Sequence, residues 1–182
     1  VPLSETWQAM ESLKEKNLTK HIGVCNYSSG LLHDLMNYCE TKPEILQIES
    51  HPYLTQEKLI RLAKDYGLEV TAFSPLGSIS YEELGGAEES ESILKNKIVQ
   101  SISKDIGITP AQLILGWGLN RGTSIVVKST NEMRMKENLA ASKIQLQQSI
   151  VDKISALNIN KRYNDPGIFC EEAFNTFFPI YE

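Results

Sequence analysis

Cysteine is scarce in this chain: three residues in 182, at Cys25, Cys39 and Cys170. An odd number, so widely spread, fits neither zinc-ligand spacing nor a disulfide framework, so no metal site is expected and a reducing, cytoplasmic compartment is. Positive charge is not in excess either. Lys and Arg number 18 against 23 Asp and Glu, for a net charge of -5 with the signs mixed. That argues against general nucleic-acid binding and leaves room only for a local basic pocket. No apolar run approaches the roughly 20 residues of a membrane span, and no secretory-signal pattern is visible. Neither GxGxxG nor GxxxxGK[ST] occurs, so the two commonest glycine-rich nucleotide loops are absent. Low hydrophobicity is also absent. At 41% hydrophobic and 23% charged, the composition is that of a soluble globular protein rather than a disordered one. The length suits one domain, residues 1–182, with a real core. The first residue is Val1, not Met, which leads us to expect a piece of something longer.

What is present is a repeated alternation of strand and helix. Ser4 is read as the cap of a helix to about Lys16, with Trp7, Met10 and Leu13 on one face. A short strand follows at 21–26. Ser28 then caps a helix with Leu31, Leu32, Leu35 and Cys39 inward. Ile45–Glu49 is the next strand. Thr55 is read as the cap of a helix striped by Leu59, Leu62, Ala63 and Tyr66, and Gly67 sits where it should end. Leu68–Phe73 is a third strand. Residues 79–92 read as a polar, acidic, mobile loop, and 93–106 as a helix. Thr109-Pro110 opens a helix apolar on most sides. Ile125-Val126-Val127 is β-branched and reads as a strand buried on both faces. Two further helices follow, and residues 160–182 form an aromatic-rich, irregular tail.

Repeated βα units predict an α/β fold with a parallel sheet and helical crossovers. A doubly wound sheet allows that order. A closed barrel needs eight units and about 250 residues, so four strands cannot close one.

In parallel βα folds chemistry gathers at the C-terminal ends of the strands. Here those ends carry Cys25-Asn26, then Gln47 to His51, then Phe73-Ser74-Pro75-Leu76-Gly77-Ser78, then Lys128-Ser129-Thr130. The last group stands before Asn131, a helix N-cap, with Arg134 about one turn in. A cation, hydroxyls, free backbone N–H groups and the positive end of a helix dipole together suit a phosphate. Asn26 and Gln47 suit an amide, and Phe73 a flat ring. Taken singly, each has a bland alternative: a turn residue, a satisfied core amide, a core aromatic, a charged loop.

These segments resemble the aldo-keto reductase family. The resemblance rests on Ile22–Tyr27, Gln47–Leu54, Ala72–Ser78, Pro110–Leu113 and Val127–Thr130 with Arg134, Glu137 and Asn138. They stand in that family's order and at about its spacing, across nearly the whole chain. Arg162–Pro166 is similar to the tail of its aldose or xylose reductase-type members. The resemblance implies an NADP(H)-dependent (β/α)₈ barrel that reduces small aldehydes and ketones. It implies that Asn26 and Gln47 hold the nicotinamide carboxamide and Phe73 stacks on its ring. Ser74, Leu76 and Ser78 would hold the pyrophosphate, Lys128, Ser129 and Arg134 the 2′-phosphate, and Glu137 and Asn138 the adenine. Cys25 stands where the family usually has Ser, and a thiol is the weaker hydrogen-bond partner. Phe73 stands where it often has Tyr, and keeps the stacking face.

The family's catalytic Asp, Tyr, Lys and His precede the matching region. The chain is therefore expected to be a partial barrel, strands five to eight, carrying cofactor-binding residues but no catalytic set. A missing N-terminal half or a second copy would be its partner. The alternative is a non-enzymatic nucleotide-binding or interaction half-barrel. His51, just after a strand end with Tyr53 near it, is the one candidate acid left, in a segment that is structural in the family. His21 lies at the wrong end of the sheet, and His33 on an outer helix face.

Overall fold

Each expected βα unit closes on a parallel neighbour. The computed structural model describes residues 1–82 and 85–181. Strands β1 (Gly23–Cys25), β2 (Ile45–Glu49), β3 (Glu69–Phe73) and β4 (Ser124–Ile125) form one parallel sheet in the order β1-β2-β3-β4. Helix α1 (Leu3–Glu15) precedes β1, while α2 (Ser29–Tyr38) and α3 (Glu57–Asp65) are the first two crossovers. The third crossover holds α4 (Ile79–Glu82), α5 (Lys97–Ile106) and α6 (Pro110–Asn120). After β4 come α7 (Glu132–Ala140), α8 (Gln148–Ser155) and α9 (Pro166–Phe174). Among the described residues no helix is long and apolar enough to cross a membrane.

The strands separate two faces because successive side chains alternate. Leu46, Ile48, Val70 and Ala72 are all buried. The first three pack with Leu32 of α2, Ile60 and Ala63 of α3, and Leu68. A second cluster joins α5, α6 and α8 through Val99, Leu113, Ile114, Trp117, Val151 and Ile154. Gly23 is required where β1 meets β2: a Cβ there would lie 2.4 Å from the Ile45 carbonyl oxygen.

Several expected caps are present. The Ser28 side chain accepts from the Leu31 amide, and Asn131 from that of Arg134. Thr109 and Gln112 form a reciprocal capping box with Pro110 at the first helical position, and Gly67 takes φ +80° at the end of α3.

Other expectations are corrected. Ser4 lies inside α1, whose N-cap position is Pro2. Thr55 is buried, its amide N–H donating to Asn158 Oδ1 at 3.1 Å, and Gln56 takes the cap position in a left-handed conformation. Leu31 faces outward, at 38% exposure, because it lies off the stripe set by Leu32 and Leu35. The 93–106 helix is divided at Asn96, whose side chain accepts from the amides of Ile98 and Val99 and starts α5 there. The 79–92 segment contains α4 and a 3₁₀ turn at Glu89–Glu91; its residues 83 and 84 lie outside the described residues, as does position 182 of the tail. That tail is not irregular throughout: Asp165 caps α9 and Pro166 opens it. The run 125–127 is not a strand buried on both faces. Ser124 and Ile125 pair with β3 and the Val126 amide adds one bond to the Ala72 carbonyl at 2.9 Å, but Val126 is 54% exposed, because β4 is an edge strand with one neighbour.

Candidate nucleotide site at the strand ends

The face opposite the helices carries polar residues in register. Cys25 pairs with Gln47, Gln47 with Thr71, and Thr71 with Ser124, so these four side chains form one row across the sheet. Glu49 pairs with Phe73 one step further on the same face. Cys25 is exposed, and Gln47 and Phe73 are half-buried. Although its surface is open, partial desolvation by neighbouring residues pushes the Cys25 thiol up from its ordinary value.

Asn26 ends β1. Its amide N–H donates to the Gln47 carbonyl at 2.8 Å, which extends the ladder by one bond. Its φ of +58° is a left-handed conformation that asparagine tolerates better than most residues. Among the described residues its side-chain oxygen is buried without a hydrogen-bond partner. A buried acceptor left unpaired is costly, and this one suits a ligand N–H, as a carboxamide supplies.

The 74–78 turn follows β3. Ser74 takes φ +48° and Gly77 φ +68°, and the Gly77 amide closes on the Ser74 carbonyl at 2.9 Å. The Ser74 hydroxyl is 2.8 Å from that of Tyr81. Pro75, Gly77 and Ser78 are buried, and Leu76 is half-buried against the α5–α6–α8 cluster. The Ser78 hydroxyl is fully buried and donates to Glu82 at 3.1 Å. Ser74 is thus the more accessible of the two hydroxyls.

The 128–134 segment is open. Lys128, Thr130 and Arg134 are exposed and Ser129 is half-buried. The Ser129 hydroxyl accepts from the Asn131 amide at 3.2 Å and from Arg134 Nε at 3.5 Å. The Arg134 guanidinium and the Asn131 amide therefore meet at the Ser129 hydroxyl just before α7, with Lys128 on the adjoining loop. That donor set fits a phosphate. Glu137 and Asn138 are half-buried on α7. The Glu137 carboxylate accepts from the Thr109 hydroxyl and its carbonyl from Gln112 Nε2, so α7 is tied to the start of α6.

A carboxylate that the sequence did not single out organises the other side of the strand ends. Glu49 is fully buried. Oε1 accepts from His51 Nε2 at 3.1 Å and from the Tyr163 amide at 2.9 Å. Oε2 accepts from the Asn164 amide at 3.1 Å and pairs with Arg162 at 3.6 Å. The available signal was a lone acid ending Ile45–Glu49 on the same face as Gln47. Burial alone raises the Glu49 pKa. The hydrogen bonds from His51 and the two amides, with the charge of His51, outweigh it and hold the carboxyl below the usual range. A depressed folded value means stability that is present above the ordinary glutamate pKa, about 4.3, and lost as pH falls through the lower folded value. Denaturant midpoints of the parent chain and Glu49→Gln are therefore expected to differ at pH 7 and converge in that acid window. A constant difference at all pH values would remove the charge from the explanation.

His51 is fully buried, ring to ring with Tyr163 at 5.3 Å and with Nε2 on Glu49. His21 Nδ1 lies 2.5 Å from Glu44, and His33 Nδ1 2.5 Å from the Tyr66 hydroxyl, both exposed. Among the described residues no group of three or more His, Cys, Asp or Glu could hold a metal. A cavity of about 550 Å³ opens at the ends of β1 and β2, lined by Asn26, Thr55, Asn158, Asn160, Arg162 and Tyr181 among others.

Residues 1–159 match the sequence profile described as the Aldo/keto reductase family. A probable NAD(P)H-dependent D-xylose reductase of Aspergillus terreus is 43% identical over 98% of this chain and 55% of its own. The NAD(P)H-dependent D-xylose reductase of Aspergillus niger is 42% identical over 90% of this chain and 52% of its own. The solved structure of aldose reductase from Giardia lamblia superposes with a TM-score of 0.83 at 34% identity, covering 100% of this chain and 57% of that one. The chain thus spans about half the length of the relatives it matches.

Proposed function

The chain belongs to the aldo/keto reductase family, and we propose that it is the cofactor-anchoring, C-terminal half of an NADP(H)-dependent reductase of small aldehydes and ketones. The observation that carries this reading is the pairing of two unlike subsites on one set of strand ends. One is the unpartnered amide oxygen of Asn26 beside Gln47. The other is the Ser129–Arg134 contact at the start of α7, with Lys128 next to Ser129 in the chain.

Asn26 and Gln47 would orient the nicotinamide carboxamide, and Phe73 would offer its ring as a stacking face. Cys25 adjoins them with a weak donor. The turn Ser74-Pro75-Leu76-Gly77-Ser78 would meet the pyrophosphate through backbone N–H groups and the Ser74 hydroxyl. Lys128, Ser129, Thr130 and Arg134 would hold the 2′-phosphate, and Glu137 and Asn138 would border the adenine. When bound, the nicotinamide supplies the hydride. The proton for the developing alkoxide comes, in this reading, from outside these 182 residues, so the chain by itself does not turn over.

Unbroken strand order, with a polar row on the face opposite the core, supports strands five to eight of a barrel. A doubly wound sheet would reverse direction at a switch point. Residues 1–182 are then one half-domain whose open sheet edges and polar face are completed by the N-terminal half. The unpaired Cys25, Cys39 and Cys170 suit a cytoplasmic setting.

Titrating the purified chain with NADPH tests the anchoring role by fluorescence. Saturable binding is expected, tighter than for NADH, and absence of NADPH binding sinks the assignment. Mass analysis of the native protein tests the half-barrel: about 250 residues or more is expected. A native product of 182 residues that still binds NADPH would make it a nucleotide-binding module instead.

A further inference from the structure

Helix α4 brings the Tyr81 side chain back to the 74–78 turn. Tyr81 is buried, and its hydroxyl lies 2.8 Å from that of Ser74. Its backbone is fixed on both sides. The Tyr81 amide donates to the Ser78 carbonyl at 2.7 Å, and the Tyr81 carbonyl accepts from the Gly86 amide at 2.9 Å. The ring stacks on Tyr163, with centroids 5.9 Å apart and planes 17° from parallel. Tyr163 is buried in turn, its amide on Glu49 and its hydroxyl donating to the Glu91 carbonyl at 3.4 Å. The phenol is therefore held in one place beside Ser74. Burial pushes it up from its ordinary pKa of 10.0, so it carries a proton to give.

Either oxygen can donate across the Tyr81–Ser74 contact, and the direction matters. A serine hydroxyl has one proton to give and lone pairs with which to accept. An ionised phosphate oxygen only accepts. If Ser74 gave its proton to Tyr81, it would have none for a phosphate. The turn has no spare hydroxyl, because Ser78 already donates to Glu82. We propose that Tyr81 is a positioning residue for the cofactor pyrophosphate: by donating to Ser74 Oγ it leaves the Ser74 proton for a phosphate oxygen. The two hydroxyls then act as one directed chain, from Tyr81 to Ser74 to phosphate, in which each bond polarises the next. The left-handed backbone of Ser74, φ +48°, sets the direction of its side chain. This role rests on the reductase reading, which puts the pyrophosphate at the turn.

Titration of the 182-residue chain with NADPH and with NADH, read by the emission of the reduced nicotinamide, tests the role in Tyr81→Phe, Ser74→Ala and the double variant. Tyr81→Phe keeps the ring on Tyr163 and removes only the hydroxyl, so it should fold, and its melting temperature checks that. It is expected to bind both nucleotides about fivefold more weakly, the size of one neutral hydrogen bond, because both carry the pyrophosphate. In the Ser74→Ala background the same change is expected to have no further effect, since no serine proton is left to direct. A merely structural role would cost the same in both backgrounds. Unchanged binding in Tyr81→Phe overturns the proposal. Tighter binding overturns it too, by showing that the phenol competes with the nucleotide for Ser74. So does a loss confined to NADPH, or an equal loss with and without Ser74. If the parent chain binds neither nucleotide, the reductase reading falls and this role with it. Parent binding with an unaffected Tyr81→Phe removes this role alone.

Discussion

Replacing Lys128 and Arg134 together by methionine is expected to weaken NADPH binding about a hundredfold, with little change for NADH. Two charge-assisted contacts, each worth about 1.5 kcal/mol at the low end for charged hydrogen bonds, give a loss of that order. The low end is appropriate because both side chains are exposed and screened by salt. The selectivity follows from geometry. Arg134 Nε and the Asn131 amide share Ser129, and among the described residues no hydrogen bond joins that group to Cys25, Gln47 or Thr71. NADH carries no 2′-phosphate for it to meet. The comparison is two fluorescence titrations per protein at one salt concentration. Equal losses for both nucleotides would show that the pair does not read the 2′-phosphate, and the NADPH effect should shrink as salt rises.

Trp117→Ala is expected to cost about 3–5 kcal/mol of folding stability, the range for truncating a large buried aromatic. Trp117 is 2% exposed and packs between α6 and α8. Its indole N–H donates to Ser155 at 3.0 Å, and the Arg121 guanidinium lies 4.4 Å from its ring centroid. The loss should reach the candidate site as well. Helix α6 carries Thr109 and Gln112, which bond Glu137, and it packs against Ile144 through Gly116. Loosening α6 therefore loosens the platform under α7. Urea unfolding measures the stability, and the NADPH-induced rise in melting temperature measures the platform. A stability loss under about 1 kcal/mol would mean that the indole site refills on truncation. Trp117→Phe keeps most of the volume and loses the Ser155 bond, so it should fall between the two proteins.

Much of the scaffold was legible because its signals are local. Ser28, Asn131 and Thr109-Pro110 declare helix starts by their own side chains and backbones, and Gly67 an end. The phosphate candidate was legible for the same reason. Lys128, Ser129 and Arg134 lie within seven consecutive positions, and local chain geometry sets Arg134 on Ser129.

The misreadings had more than one cause, and only one involved a distant partner of a cap residue. Thr55 has the right chemistry to start α3, but Asn158, far along the chain, takes its amide. Val126 has the composition of a buried strand, yet exposure depends on whether a neighbour stands beside β4, which no property of Val126 encodes. Asp165-Pro166 was an available helix signal, outweighed by the aromatic-rich composition around it.

By itself, then, the sequence determined the alternation of strands and helices, the parallel sheet that such connections require, and the identity of the residues at the strand ends. Short-range backbone preference and hydrophobic period are enough for these. Only the tertiary structure decided that Asn26 has a buried oxygen without a partner, that the Ser78 hydroxyl is turned onto Glu82, and that Glu49 holds the tail at Arg162, Tyr163 and Asn164. Each of these depends on which distant groups fill the space around one polar atom. A chain specifies that only after its elements have packed.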